Sequence, residues 1–114
     1  MKAIDKTLYQ IDIKCKSSKH GGEMYEITFV DTDGEVYVTY AVPGYENYAE
    51  RWKFICDNQD DAVTIKNASQ KTKYGKPQYT KYNNYPIIDC DSETQAVAVQ
   101  SMKAQLKEIY SWFK

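Results

Sequence analysis

Apolar and polar positions alternate strictly near the start of the chain. Tyr9, Ile11, Ile13 and Cys15 alternate with Gln10, Asp12, Lys14 and Lys16. A period of two puts successive side chains on opposite faces of a pleated strand, so this stretch predicts a half-buried strand. Lys16 to Gly22 is small, polar and glycine-terminated and reads as a loop. A second strand is predicted from Tyr25, Ile27 and Phe29 on one face, with Glu26, Thr28 and Val30 on the other. Asp31-Thr-Asp-Gly34 is a tight-turn signal, because Asp-Gly supplies the positive φ that such turns require. Val36, Val38 and Tyr40 then alternate with Tyr37 and Thr39 in a third strand, and Pro43-Gly44 ends it.

The period changes after that stop. Tyr45, Tyr48, Ala49, Trp52, Ile55 and Cys56 fall at helical spacing, so residues 45–57 predict a short amphipathic helix. Its outer face carries Glu46, Glu50, Arg51 and Lys53. Ala62 to Lys66 is a short fourth strand with Val63 and Ile65 inward. Residues 67–85 lack useful periodicity and form a long excursion before a fifth strand at Pro86 to Cys90. Ser92 and Gln95 have capping-box spacing, which predicts a helix from residue 93. Val99, Met102, Leu106, Ile109 and Phe113 form one apolar seam on that helix. The order is three strands, a helix and two more strands, which is the order of the OB fold, a small five-stranded Greek-key barrel. The expected class is therefore β-rich α+β. A five-stranded OB-like barrel spans 7–90, with a helix between strands three and four, and an amphipathic C-terminal helix occupies 91–114 of a single domain. An α+β sheet with two covering helices is the competing architecture.

Composition agrees with a sheet. There are eleven Tyr, three Phe and two Trp, and only two Leu against nine Ile and seven Val. β-branched and aromatic residues suit a pleated surface. A chain of 114 residues supports one core. No apolar run approaches the roughly 20 residues of a spanning helix, and the N-terminal residues lack an apolar stretch of signal-peptide type. Cys15, Cys56 and Cys90 are widely spaced and odd in number, which argues against a disulfide framework and for reduced thiols in the cytoplasm.

The net charge of −1 argues against a uniformly basic nucleic-acid coat. Divided by segment it says more. Residues 1–22 carry +3, 23–61 carry −8, 62–88 carry +5 with no acid, and 89–114 carry −1. The basic excursion interleaves Lys66, Lys71, Lys73, Lys76 and Lys81 with Tyr74, Tyr79, Tyr82 and Tyr85. The first loop adds Lys14, Lys16, Lys19 and His20. In an OB arrangement these two loops flank the nucleic-acid groove. Lysines replace counterions along phosphates. Tyrosine rings stack on bases, at ~1–3 kcal/mol per base. A solvated hairpin, with tyrosines on the barrel and lysines keeping it soluble, explains the same residues without a ligand. On the central hairpin, Tyr25 and Phe29 share a face with Ile27 and are expected in the core. Tyr37 lies opposite Val36 and Val38 and is the candidate for surface stacking.

Sharper chemistry is not assembled. His20 is the one histidine, so no His-based metal site or Cys–His dyad has a signature. Asp31 to Gly34 begins like a calcium loop but lacks the glutamate at loop position twelve. Asp89, Asp91 and Glu93 fit a helix N-terminus better than a metal. There is no glycine-rich phosphate loop and no G-x-S-x-G, so neither a cofactor nor catalysis is expected.

Tyr25-Glu-Ile-Thr-Phe-Val-Asp-Thr-Asp-Gly34, Val36-Tyr-Val-Thr-Tyr40 and the Tyr45-to-Trp52 helix together resemble the small OB-fold single-stranded-DNA-binding proteins of bacteriophages and mobile elements. The likeness covers about residues 7–90. It departs from the better-known bacterial members, which carry a flexible acidic tail where this chain has an apolar seam. The resemblance implies non-catalytic binding of single-stranded nucleic acid in replication, DNA first and RNA as the open alternative, with little sequence preference. The expected contacts are Lys16, Lys66, Lys71, Lys73, Lys76 and Lys81 on phosphates, and Tyr37, Tyr74, Tyr79 and Tyr82 on bases. The seam at Val99, Met102, Leu106, Ile109 and Phe113 is a candidate homo-oligomer contact, and no membrane partner is expected. A second reading is an interaction or inhibitor module of a mobile element that uses the acidic segment 23–61.

Overall fold

The computed structural model describes residues 3–4, 7–17, 22–42, 49–57, 62–66, 68–90 and 95–99. Three strands form the expected antiparallel meander: β2 (Leu8–Ser17), β3 (Glu23–Val30) and β4 (Val36–Ala41). They follow a short N-terminal strand, β1 (Ala3–Ile4), which the alternation did not reveal. In the β3–β4 hairpin Val30 stands opposite Val36, Phe29 opposite Tyr37 and Glu26 opposite Tyr40. The turn is held by Asp31, which is 1% exposed. Its Oδ1 accepts the N–H groups of Asp33 and Glu35, both at 2.9 Å. The Tyr37 hydroxyl lies 3.3 Å from Asp31 Oδ2 and 3.0 Å from Glu35 Oε2, so one proton is shared between two carboxylates. Gly34 takes the positive φ, 85°, that the Asp-Gly pair predicts.

Helix α1 (Ala49–Asp57) joins this meander to β5 (Ala62–Lys66). Residues 45–48 of the predicted helix lie outside the described residues. β5 pairs with the start of β2, placing Leu8 opposite Ile65. A bulge between Gln10 and Asp12 inserts Ile11 into β2. Such a bulge bends its strand and increases local twist, and β5-β2-β3-β4 form a curled antiparallel sheet, a half-barrel. The bulge also changes which residues of β2 face inward. Gln10 stands opposite Phe29 and Ile13 opposite Ile27, so the predicted single face of Tyr9, Ile11, Ile13 and Cys15 breaks at Ile11.

The expected irregular excursion is ordered. β6 (Ala68–Gln70) follows β5 after one residue, and β7 (Thr72–Lys73) and β8 (Lys76–Pro77) make a small hairpin. β9 (Ile88–Asp89) is the core of the predicted fifth strand and pairs with β6, which also pairs with β1. Next to β9, Ile87 makes a parallel bridge to Val38. Beside that bridge, Val38 N–H donates to Pro86 O at 3.0 Å and Thr39 Oγ1 donates to Ile88 O at 2.8 Å.

The core contains Leu8, Ile27, Phe29, Tyr37, Trp52, Ile55, Val63, Ile65 and Ile88, with Tyr25 and Ile13 packed against it. α1 contributes Trp52 and Ile55 at helical spacing, while Lys53 stays exposed. Tyr25 and Phe29 therefore sit as expected, but Tyr37 is not a surface residue. It is 6% exposed. Directly opposed residues share a face, so pairing with Phe29 draws Tyr37 inward and leaves Val36 and Val38 on the other side.

The predicted helix from residue 93 is also corrected. Gln95–Val99 is a strand, β10, antiparallel to β5. Gln-Ala-Val-Ala-Val alternates with period two, and the open edge of β5 supplies hydrogen bonds that an isolated helical turn lacks. Residues 100–114, and with them Met102, Leu106, Ile109 and Phe113 of the seam, lie outside the described residues.

Removing the Asp31 carboxylate leaves two turn N–H groups without their acceptor, whereas removing the Tyr37 hydroxyl leaves one donor fewer. Asp31→Ala is expected to cost about 2–3 kcal/mol and Tyr37→Phe about 1 kcal/mol. Urea denaturation at neutral pH measures both, and equal or negligible losses would refute this account of the turn.

Candidate functional site

A groove of about 240 Å³ opens on the outer face of β2, β3 and β4. Cross-strand pairing builds its floor. Lys14, Glu26 and Tyr40 form one row, and Thr28 and Val38 stand opposite each other in the next. Lys16 closes one end and donates from Nζ to Glu26 Oε2 at 2.8 Å. The wall is the turn 80–85, which contributes Thr80, Lys81, Tyr82, Asn83 and Tyr85.

Backbone and side-chain hydrogen bonds hold that wall in place. Gln70 Nε2 donates to Gln78 O at 2.8 Å and to Ile87 O at 3.1 Å. Lys71 N–H donates to Ile87 O, Gln78 N–H to Lys71 O and Ile87 N–H to Gln78 O, at 2.8, 2.9 and 3.0 Å. The turn itself closes through Thr80 N–H to Tyr85 O at 2.8 Å and Tyr85 N–H to Thr80 Oγ1 at 2.9 Å. These bonds give the segment the order that its lack of hydrophobic period concealed.

The ten sequence-selected residues form two sets of three, and four stand apart. Lys16, Lys81 and Tyr82 meet at the groove. Lys73, Tyr74 and Lys76 lie on the β7–β8 hairpin, whose two-residue loop is Tyr74-Gly75. Both loop residues have positive φ, 53° and 77°, the geometry of a type I′ turn. Tyr74 is 92% exposed and Tyr82 87%. Each carries its preceding lysine over one ring face: Lys73 Nζ is 5.7 Å from the Tyr74 centroid and Lys81 Nζ 5.5 Å from that of Tyr82. Such cation–π pairs leave the opposite face open. Lys66 is exposed on β5 and Lys71 half-buried beside Ile87. Tyr79 borders a second hollow, of about 390 Å³, with the acidic turn residues Asp33 and Glu35. Tyr37 is in the core. Glu26, Tyr40 and Lys14 complete the groove; Lys14 was noted with the first basic loop and Tyr40 with the aromatic residues of the central hairpin, but Glu26 was missed. The symmetry of the Asp-Gly hairpin about Asp33 was the signal for the Glu26–Tyr40 pair.

The Tyr40 phenol is pushed up from 10.0 to about 12 by burial, by the charge of Glu26 and by hydrogen bonding to that carboxylate. Among the described residues, no group of three or more His, Cys, Asp or Glu is placed to hold a metal ion. No helix among them is long and apolar enough to cross a membrane. Comparison with protein-family models, curated proteins and solved structures finds no match for the chain.

A phenol whose folded pKa exceeds its unfolded value favours the native state while protonated. That preference is present below about pH 10 and is lost as pH rises toward 12. In a 295 nm absorbance titration, the difference between wild type and Tyr40→Phe should show one phenol ionising near pH 12. Glu26→Gln should move that step down toward 10, leaving the part that burial causes. A Tyr40 step at 10 in the wild type would overturn the assignment.

Proposed function

We propose that this chain is a non-catalytic module that binds single-stranded nucleic acid, DNA in the first instance, with little sequence preference along most of the strand. The observation that carries the reading is the groove. A basic, aromatic turn stands over the outer face of the central strands, with lysines at its margins and tyrosines presenting rings. Backbone-tracking lysines beside stacking rings are what an unpaired strand requires.

The strand circuit supports an OB-like barrel as the scaffold. β2 pairs with β3 and β3 with β4. β4 meets the β9 segment in parallel, β9 pairs with β6, and β5, one residue before β6, returns to β2. α1 falls between the third and fourth strands of that circuit. In OB folds the face of the second and third strands, with the loops after the first and fourth, receives oligonucleotides. Lys14, Lys16 and Lys81 would neutralise phosphates at the groove, and Lys73 and Lys76 would extend the path along the β7–β8 hairpin. Tyr82, Tyr85 and Tyr74 would stack.

The alternative is a protein-interaction module using the acidic segment 23–61, some of whose described acids are engaged within the fold. Asp31 is buried in its own turn, Glu26 is paired with Lys16, and Glu35 bonds Tyr37.

Fluorescence anisotropy with oligo-dT should show binding at low salt that weakens as salt rises. Lys81→Ala should flatten the log–log salt slope by about 0.7, one phosphate contact on a single strand. Tyr82→Ala should weaken binding by about 1–3 kcal/mol. Absence of binding at low salt, or binding indifferent to salt, sinks the proposal.

Tyr74 gives an independent check. A tyrosine in the left-handed region is strained by roughly 1–3 kcal/mol, and such strain is retained where a site uses it. Tyr74→Asn, which suits a type I′ turn, is expected to raise the melting temperature and to weaken oligo-dT binding. A gain in stability with unchanged binding would remove Tyr74 from the interface.

A further inference from the structure

The groove contains one group that phosphate does not explain. Glu26, 17% exposed, stands in the floor between Lys14 and Tyr40. A carboxylate repels a phosphate and attracts hydrogen-bond donors. An ionised carboxylate has about four lone-pair positions. Lys16 occupies one, and Tyr40 stands directly opposite Glu26 on the neighbouring strand. Glu26 lines the groove, so a ligand there would meet the remaining positions. At about 240 Å³, the space falls below the ~300–1,000 Å³ of pockets for drug-sized ligands, so it suits a single ring system.

We propose that the groove receives one unstacked guanine of the bound strand, with its Watson–Crick edge turned to Glu26. The inference rests on the single-strand reading and adds a base preference at one position.

The chemistry selects guanine among the bases. Its ring N1–H and exocyclic N2 amino group are neighbouring donors that match the two oxygens of a carboxylate. Adenine and cytosine place a ring-nitrogen acceptor beside their amino group. Thymine and uracil flank their N–H with two carbonyls. Each of those edges sets an acceptor lone pair against a carboxylate oxygen, and such an unmatched polar contact is costly. Lys16 holds the carboxylate from the protein side, and Tyr40 flanks it across the strand pair. Tyr82 and Tyr85 border the same space and supply ring faces, while Lys14 and Lys81 are at hand for the flanking phosphates.

The experiment compares a short oligo-dT with the same strand carrying one central dG, dI, dA or dC, by anisotropy. The dG strand should bind about ten-fold or more tighter than oligo-dT, within the range of a good bidentate base contact. The dI strand, lacking the N2 amino group, should fall between them, and dA and dC should give no gain. Glu26→Gln should erase the dG advantage and raise affinity for plain oligo-dT, because a negative charge leaves the phosphate path. Equal affinity for dG and dT strands overturns the inference, as does a preference that survives Glu26→Gln. The dI arm decides the matter on the native protein if that variant folds poorly. Failure of oligo-dT to bind at all refutes the single-strand reading, and the base preference is then read by amide chemical shifts on adding dGMP or dTMP. Shifts at Glu26, Tyr40 and Tyr85 with dGMP alone support the guanine site. No shifts, or the same shifts with dTMP, refute it.

Discussion

The β3–β4 register is the constraint on which the rest of the molecule depends. Side chains alternate with period two, so a slip of one residue would exchange the core set for the groove set on the sliding strand. The buried Asp31 carboxylate opposes that slip. It ties the backbone of Asp33 and Glu35 and reaches the Tyr37 hydroxyl, linking the turn to the core residue opposite Phe29. With Phe29 and Tyr37 inside, Glu26 and Tyr40 must lie outside, opposite one another and beside Lys14. The floor of the groove is thus set by the same register that packs the core.

The wall obeys a different physics. Residues 70–87 bury little apolar surface apart from the flank of β4, and polar bonds hold them together. Gln70 bonds two carbonyls that are distant in sequence, and the backbone of Lys71, Gln78 and Ile87 completes the network. Exposed aromatic rings can therefore be carried on a positioned surface without being drawn into a core. Tyr74 and Tyr82 each keep a lysine over one face and solvent over the other.

The elements legible in the sequence were those whose apolar pattern is local. The three strands of the meander, the Asp-Gly turn, the short helix and β5 all announce themselves within a few residues. The bulge at Ile11 was not legible, because an extra residue in one strand is decided by the partner strand. Tyr37 was misplaced for a related reason. Val36 and Val38 are buried on the side of the central hairpin away from the core cluster, so their apolar character did not identify the inner face. The helix predicted from residue 93 yields to strand β10 because the edge of β5 is a tertiary fact. At the candidate site, the basic and aromatic composition pointed to a segment of which residues 80–85 line the groove. It did not separate the groove wall from the β7–β8 tip, nor did it reveal that an acid from the opposite-charge segment stands in the floor.

The bond from Thr39 Oγ1 to Ile88 O joins residues 49 positions apart, and it lies beside the Val38–Pro86 bond that docks the wall on β4. Closing so long a loop carries an entropic cost that local hairpins avoid, and it slows the step that depends on it. On a ribosome the meander β2-β3-β4 can form as soon as it emerges, but with the outer faces of Val36 and Val38 uncovered. The groove comes into being only after residue 88 has left the exit tunnel and returned to β4. The groove is therefore a late event in the life of the chain, and a nascent copy is a half-sheet with uncovered apolar side chains before it has a cleft.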